Sequence, residues 1–158
     1  MPVYRREDAV AYAREWAFRR NPLYLDFELI GGDCTNYASQ CLYAGCPEMN
    51  YEPVIGWYYV SPEQRAPAWT SVEALYSFLT RPHTVGPAAY PVERGGARPG
   101  DLVQLGRADG TYFHTPVIVA VTPREVYVAA HSEDAWMRPL SAYPAERIRF
   151  LHVVGSGD

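Results

Sequence analysis

The residues most able to do chemistry lie in one short run, Gly-Gly-Asp-Cys-Thr-Asn at 31–36. Two glycines let the backbone turn sharply, and Asp33 is a residue type that favours helix N-caps, so the run predicts that Cys34 lies in the first turn of a helix. A helix N-terminus carries free N–H groups and a partial positive charge, which favour the nucleophilic thiolate. The run therefore predicts a nucleophilic cysteine; the alternative is a buried, inert cysteine that only packs.

A cysteine nucleophile needs a base from elsewhere in the chain. His114 lies in a predicted strand at 112–121, and His131 ends the next predicted strand at 125–131. A turn at 122–124 joins the two strands, so a hairpin would bring both histidines close together. We expect His114 to be the base and His131 to lie within hydrogen-bond reach of its ring, where it would fix the tautomer.

The register of this hairpin leaves the third residue open. Pairing Val121 with Arg124 sets His114 opposite His131, and a slip of one residue sets it opposite Ser132. A bulge would change the pairing again. The alternatives to His131 as the third member are Ser132, Glu133 and Asp134.

The composition limits the classes of function. The chain has 158 residues, which predicts one domain (1–158), and a net charge of −4 with no basic cluster, so we expect no nucleic-acid partner. Three cysteines without a C-x-x-C pair favour neither a disulfide framework nor a zinc site. No apolar stretch predicts a signal peptide or a membrane span; the localisation is left open.

The order of the elements predicts an α+β fold. Apolar periodicity indicates helices at 8–20, 34–44 and 69–80, with an aromatic-rich irregular segment at 48–67. The second half contains strand patterns rich in valine and isoleucine. These strands are predicted at 102–105, 112–121, 125–131 and 147–154. Helices followed by a meandering sheet favour an antiparallel α+β domain.

Four sequence segments carry a family resemblance. They are Asn-Pro-Leu-Tyr-Leu-Asp-Phe at 21–27, Gly-Gly-Asp-Cys-Thr-Asn-Tyr-Ala-Ser-Gln-Cys-Leu-Tyr-Ala-Gly at 31–45, Arg-Pro-Gly-Asp-Leu-Val at 98–103, and Val-Tyr-Val-Ala-Ala-His-Ser-Glu-Asp at 126–134. The first two make the chain resemble the putative amidase domain family. The last two, with the strand-borne His114 between them, also resemble the wider group of NlpC/P60 and CHAP cell-wall hydrolases.

The resemblance implies a papain-like α+β domain whose nucleophile helix packs on an antiparallel sheet. It implies Cys34 as nucleophile, His114 as base and His131 as the orienting residue, with amide or peptide bonds as substrates, including those of peptidoglycan stem peptides. Two features depart from the family pattern. No export signal is visible, and Pro116 follows His114 closely where a ladder N–H is expected, which indicates an edge strand or a bulge.

The expected mechanism is acyl transfer. His114 would hold the Cys34 thiolate as an ion pair and then protonate the leaving amine, and the Cys34 backbone N–H would join an oxyanion hole. We expect no metal and no organic cofactor. Two alternatives are a binding module with an aromatic groove at 51–69, and a metal-dependent hydrolase using His114 and His131, which lacks an H-E-x-x-H motif.

Overall fold

The computed structural model describes residues 2–158 and has the α+β architecture that the sequence predicts. The helices of the described chain are α1 (Arg6–Trp16), α2 (Cys34–Gly45), α3 (Pro67–Thr70) and α4 (Val72–Thr80). The strands are β1 (Tyr59–Ser61), β2 (Gln64–Arg65), β3 (Ala88–Val92), β4 (Leu102–Gly106), β5 (Tyr112–His114), β6 (Val117–Val121), β7 (Val126–Ala130), β8 (Ala135–Pro139) and β9 (Arg147–Val154). None of the helices among residues 2–158 has the length and apolar character needed to cross a membrane.

One antiparallel sheet carries most of the strands. Its order is β3-β9-β4-β6-β7-β8, and β5 pairs with β4 beside this path, while β1 and β2 form a separate hairpin. The middle strands bury almost every side chain. The helices cover one face of the sheet, and a smaller apolar cluster covers part of the other face. The central strand β4 is buried along its whole length, including its one polar side chain, Gln104, which is hydrogen-bonded.

Helix α1 lies closely against α2. Small residues at Ala9 and Ala13 face the contact and are fully buried, so the two helix backbones approach each other. The Tyr37 hydroxyl of α2 donates a hydrogen bond of 2.5 Å to the Ala13 carbonyl oxygen. This pairing fixes where α2, and hence its first residue Cys34, sits in the molecule.

The Arg-Pro-Gly-Asp turn has a structural role. Asp101 is fully buried and accepts hydrogen bonds from the side chains of Arg6 at 2.7 Å and His152 at 3.0 Å and from the Val153 amide at 2.9 Å. The Asp101 carboxylate thus joins α1, the turn before β4, and β9. A buried carboxylate with several donors is stable, so His152 has a structural role.

The predicted strand at 112–121 is two strands in the structure. β5 pairs with β4 through Leu105 and His114, whereas β6 pairs with β7 from Val117 onward. The break falls at Pro116, which has no N–H to give to a ladder. It leaves His114 at the end of a short strand.

At the turn, the β6–β7 hairpin has a register that differs from both of the pairings predicted from the sequence. Val121 pairs with Val126, while Val117 pairs with Ala129 and the register shifts between Ile118 and Ala120. The shift is the kind of bulge that reassigns every later pair. At Val117 the register equals that of the alternative that pairs Val121 with Glu125, but His114 lies outside this hairpin, because β5 pairs with β4.

Candidate active site

Cys34 and His114 lie on one cleft. The cleft has a volume of about 430 Å³, and its walls also include Gly32, Ser132 and Tyr143. The exposed fraction is 8% for Cys34 and 7% for His114, so both side chains are sheltered but reach the cleft surface. The structure thus brings together the two residues that the sequence predicts as nucleophile and base.

Cys34 is the first residue of α2, as predicted. The approach to it uses Gly31 and Gly32 at φ +91° and +102°, a left-handed conformation that other residues adopt only with strain. The Asp33 N–H donates to the Ser132 hydroxyl at 3.0 Å, which ties this loop to the turn after β7. A side chain at Gly32 would press on that same hydroxyl at 3.3 Å. The glycines therefore let the chain present Cys34 at the cleft.

His114 is held by its neighbour in the chain. The Thr115 hydroxyl lies 3.2 Å from the Thr35 hydroxyl of α2 and accepts a hydrogen bond of 3.2 Å from the Gln104 side chain of β4. All three of these side chains are buried. This contact fastens the end of β5 to the start of α2, so it sets the position of His114 relative to Cys34.

The surroundings of Cys34 and His114 favour a neutral thiol and a neutral imidazole. Burial raises the pKa of the Cys34 thiol, and the Asp33 carboxylate adds to that rise, while the amides of Thr115 and Thr35 oppose it. Burial and the Arg138 guanidinium lower the pKa of His114 to about 4. Both directions disfavour the expected thiolate–imidazolium ion pair, because burial penalises the charged form of each group. The arrangement suits a neutral thiol whose proton moves to the imidazole during attack.

Alkylation of the cysteines should show this state directly. We expect iodoacetamide to label Cys34 at a rate that keeps rising with pH up to about pH 9 and beyond, because a raised pKa keeps the thiol protonated near neutrality. Cys41 and Cys46 are fully buried, and burial raises the pKa of Cys46 to about 11. Labelling mapped by peptide mass over a pH series makes the measurement. A rate that is flat between about pH 5 and 8 indicates a preformed ion pair, and faster labelling of Cys41 overturns the site.

His131 does not contact the His114 ring, so that part of the sequence prediction is wrong. Its Nδ1 lies 2.5 Å from the Asp33 carboxylate, and its Nε2 lies 2.7 Å from the Trp16 carbonyl oxygen and 3.3 Å from the Arg20 guanidinium. Its ring stacks on Tyr37 at a centroid distance of 4.0 Å. Both ring nitrogens therefore already have polar partners. The side chain points to the junction of α1 and α2, where these acceptors lie.

Asp33 is a buried hydrogen-bond centre and not the helix cap that its type predicts. Its side chain makes no cap bond and instead accepts from the Phe27 amide at 2.8 Å, the Asn36 side chain at 2.9 Å and His131. Burial raises the pKa of Asp33, but the hydrogen bonds from His131, Asn36 and Phe27 outweigh it and leave the pKa lowered. Asp33 therefore stays ionised directly beneath the turn that carries Cys34.

The other candidates for the third position divide into two groups. Asp134 accepts two hydrogen bonds from Arg20, at 2.9 and 3.1 Å, and takes no part in the cleft lining. Ser132 and Glu133 do line the cleft, and both adopt positive φ values of 59° and 67°. The Ser132 hydroxyl also donates to Glu28 at 3.0 Å, so it supports the loop around Cys34.

Tyr143 is the cleft residue that sequence reasoning missed. It lies in the segment between β8 and β9, and its ring centroid is 5.6 Å from that of His114. No periodic pattern covers this segment, so only the isolated Tyr143-Pro144 pair could have drawn attention to it. Its position next to the predicted base makes it part of the site.

The residues behind the two alternative functions lie in different surroundings. Trp57 and Trp69 are fully buried with ring centroids 4.7 Å apart, so these two rings of the aromatic segment belong to the core, whereas Tyr51 is exposed. His131 is held at both ring nitrogens, away from His114. No group of three or more histidine, cysteine or acidic side chains suited to a metal occurs among residues 2–158.

The structure thus defines an α+β protein with a cysteine and a histidine on one cleft. The chain belongs to the family described as "Putative amidase domain", which matches residues 3–154. That description indicates an enzyme that hydrolyses amide bonds.

A curated relative extends this finding without adding a function. The chain is 31% identical over 161 residues to "Uncharacterized protein YhbB" of Bacillus subtilis (strain 168), an alignment that covers 96% of this chain and 50% of that protein. The chain therefore spans half the length of this relative. No solved structure matches the chain, so the papain-like fold and the link to NlpC/P60 and CHAP hydrolases stay predictions.

Proposed function

We propose that this protein is a cysteine-dependent hydrolase of amide or peptide bonds, with Cys34 as nucleophile and His114 as base. The observation that carries the proposal is that both side chains line the same cleft although 80 residues separate them along the chain. The family supports the coarser function of amide hydrolysis. Nucleophile and base within one sheltered cleft are the two groups that acyl transfer requires.

The proposed reaction starts from the neutral pair. The Cys34 sulfur attacks the amide carbonyl carbon while its proton passes to His114, and the carbonyl oxygen becomes an oxyanion near the Cys34 backbone N–H. The C–N bond then breaks as His114 gives its proton to the leaving amine, which leaves a thioester on Cys34. Water attacks the thioester while His114 takes one of its protons; the C–S bond then breaks, His114 returns that proton to the sulfur, and the products are a carboxylic acid and the free thiol.

Peptides of the bacterial cell wall are the substrate class that we propose first. The support is the resemblance of the 98–103 and 126–134 segments, with the strand-borne His114 between them, to NlpC/P60 and CHAP hydrolases. The proposal treats residues 1–158 as one papain-like domain. Incubation with purified peptidoglycan and with a panel of small amides, followed by mass spectrometry of the products, tests both the chemistry and the substrate.

The same assay separates a cysteine mechanism from a metal mechanism. We expect hydrolysis to survive EDTA, because the proposed steps use only Cys34, His114 and water. Mass spectrometry of rapidly quenched reactions should also find the acyl group on the Cys34 peptide. Loss of turnover on chelation with recovery on added zinc contradicts the proposal, as does product formation that stays unchanged in Cys34→Ala.

A further inference from the structure

The base of the proposed site lacks a partner that would orient it. Among residues 2–158 no hydrogen bond reaches either ring nitrogen of His114, although the side chain is 7% exposed. A general base usually depends on a third group that holds its ring and selects its tautomer. The side chain that the sequence offered for this task, His131, is fully used elsewhere.

An unsatisfied hydroxyl group lies beside that ring. The Tyr143 Oη is buried and has no hydrogen bond of regular geometry in the described structure, although the Arg138 guanidinium lies near enough to oppose the rise that burial causes in the pKa of this hydroxyl. The rings of Tyr143 and His114 are neighbours at a centroid distance of 5.6 Å and an interplanar angle of 45°. A buried hydroxyl without a partner is unfavourable, so an unpaired group in a native site calls for a functional explanation.

We propose that Tyr143 is the positioning residue of His114: a small rotation of the two neighbouring rings, which are not hydrogen-bonded to each other in this structure, brings the Tyr143 hydroxyl to one ring nitrogen and leaves the other nitrogen for the Cys34 thiol. The inference rests on the proposed function, because it gives the orienting role in that mechanism to Tyr143. The hydroxyl can accept from a ring N–H. This bond fixes the tautomer in which the other nitrogen is free to take the thiol proton.

Two contacts hold Tyr143 in a suitable place. Arg138 belongs to the neighbouring strand β8, and its guanidinium carbon lies 4.2 Å from the centre of the Tyr143 ring. The Tyr143 amide donates to the Leu140 carbonyl oxygen at 3.1 Å, which closes a turn of 3₁₀ helix. These contacts use the ring and the backbone of Tyr143. Tyr143→Phe keeps both and removes only the hydroxyl.

Tyr143 fits the role better than the other cleft residues. The Ser132 hydroxyl already accepts from the Asp33 amide and donates to Glu28, so both of its hydrogen-bonding functions are occupied. The Glu133 side chain is 83% exposed and faces Arg138 at 3.8 Å. Of these groups, the Tyr143 hydroxyl is the one that is both buried and unpaired.

The test is Tyr143→Phe, with Tyr76→Phe as the matched control. Tyr76 is also half-buried and has a guanidinium, that of Arg149, stacked on its ring at 3.5 Å, but it lies on α4 outside the cleft. We expect Tyr143→Phe to lower kcat about tenfold with little change in KM, as loss of one hydrogen bond to the base predicts. Its melting temperature should change little, because the ring and its packing stay in place. Tyr76→Phe should keep full turnover.

Spectroscopy of His114 gives a readout that needs no substrate. In the unmodified protein the ¹⁵N signals of the His114 ring should show one tautomer with a ring N–H that exchanges slowly, and Tyr143→Phe should convert this to a mixture. An unchanged tautomer in Tyr143→Phe overturns the inference, as does a fast-exchanging ring N–H in the unmodified protein. A rise in KM at constant kcat also overturns it, because it indicates that the hydroxyl binds substrate. Normal turnover of Cys34→Ala, by contrast, overturns the proposed function itself.

Discussion

Replacing Cys34 by alanine should abolish amide hydrolysis, and His114→Gln should lower kcat by at least about a thousandfold. Alanine removes the sulfur that forms the acyl-enzyme, and glutamine keeps polarity and similar bulk but cannot take the thiol proton. Both side chains are small contributors to the core, since they face the cleft. The fold should therefore survive both changes, and the loss belongs to the chemistry. Steady-state turnover with circular dichroism on the same samples makes the measurement.

Cys41→Ala is the matched control for this prediction. Cys41 lies on the same helix as Cys34 but is fully buried among apolar residues, and burial raises its pKa far above the usual range. The substitution should cost about 1 kcal/mol of stability through the lost packing and leave turnover unchanged. Equal activity losses in Cys34→Ala and Cys41→Ala would show that helix packing, and not a nucleophile, explains the effect.

The helices and the central strands were readable because their signals are local. The predicted helix at 34–44 is the observed α2 (Cys34–Gly45), since glycines precede it and Gly45 and Pro47 end its pattern. The predicted helix at 8–20 ends earlier, at Trp16. Apolar periodicity specifies the buried face of such elements without knowledge of their partners.

The remaining strands depend on partners far away in the chain. β3 pairs with β9 across some sixty residues, and its Ala-Ala-Tyr-Pro-Val sequence carries no alternation of its own. The segment at 48–67 appeared irregular but contains β1 and β2, and its tryptophan is in the core. Short edge strands with proline are stabilised by the sheet they join, so single-sequence patterns miss them.

The candidate site was predictable in its two reactive residues and not in its support. Residue chemistry alone pairs Cys34 with a strand histidine, and the structure places both on one cleft. The third residue depended on register, and a bulge in the β6–β7 hairpin changes register within the hairpin itself. No pattern announces that His131 finds acceptors in Asp33 and Trp16, 98 and 115 residues away.

Those contacts make His131 a stability residue, with an expected effect opposite to that of an orienting residue. His131→Ala should lower the free energy of unfolding by about 3–4 kcal/mol. The change removes a ring stacked on Tyr37, and it takes a donor away from the buried Asp33 carboxylate. Phe27, Asn36 and the nearby Arg20 guanidinium keep part of the charge compensated, which limits the loss. Urea unfolding followed by circular dichroism measures it.

Glu133→Ala is the control from the same turn. Its side chain is 83% exposed and lies 3.8 Å from Arg138, a surface pair worth less than about 1 kcal/mol. A double-mutant cycle then isolates the buried contact. Asp33→Asn and His131→Ala together should destabilise the protein by less than the sum of the single changes, because each single change breaks the same hydrogen bond.

Turnover of His131→Ala, measured beside its stability, decides which role His131 has. If His131 stabilises the junction of α1 and α2, the destabilised variant should keep turnover at low temperature, where most molecules are folded, since its ring does not reach His114. If His131→Ala is as stable as the unmodified protein but loses turnover, His131 orients the base in a conformation other than this one. We expect the first result, because His131 is hydrogen-bonded to the buried Asp33 carboxylate beneath the Cys34 turn and not to the His114 ring.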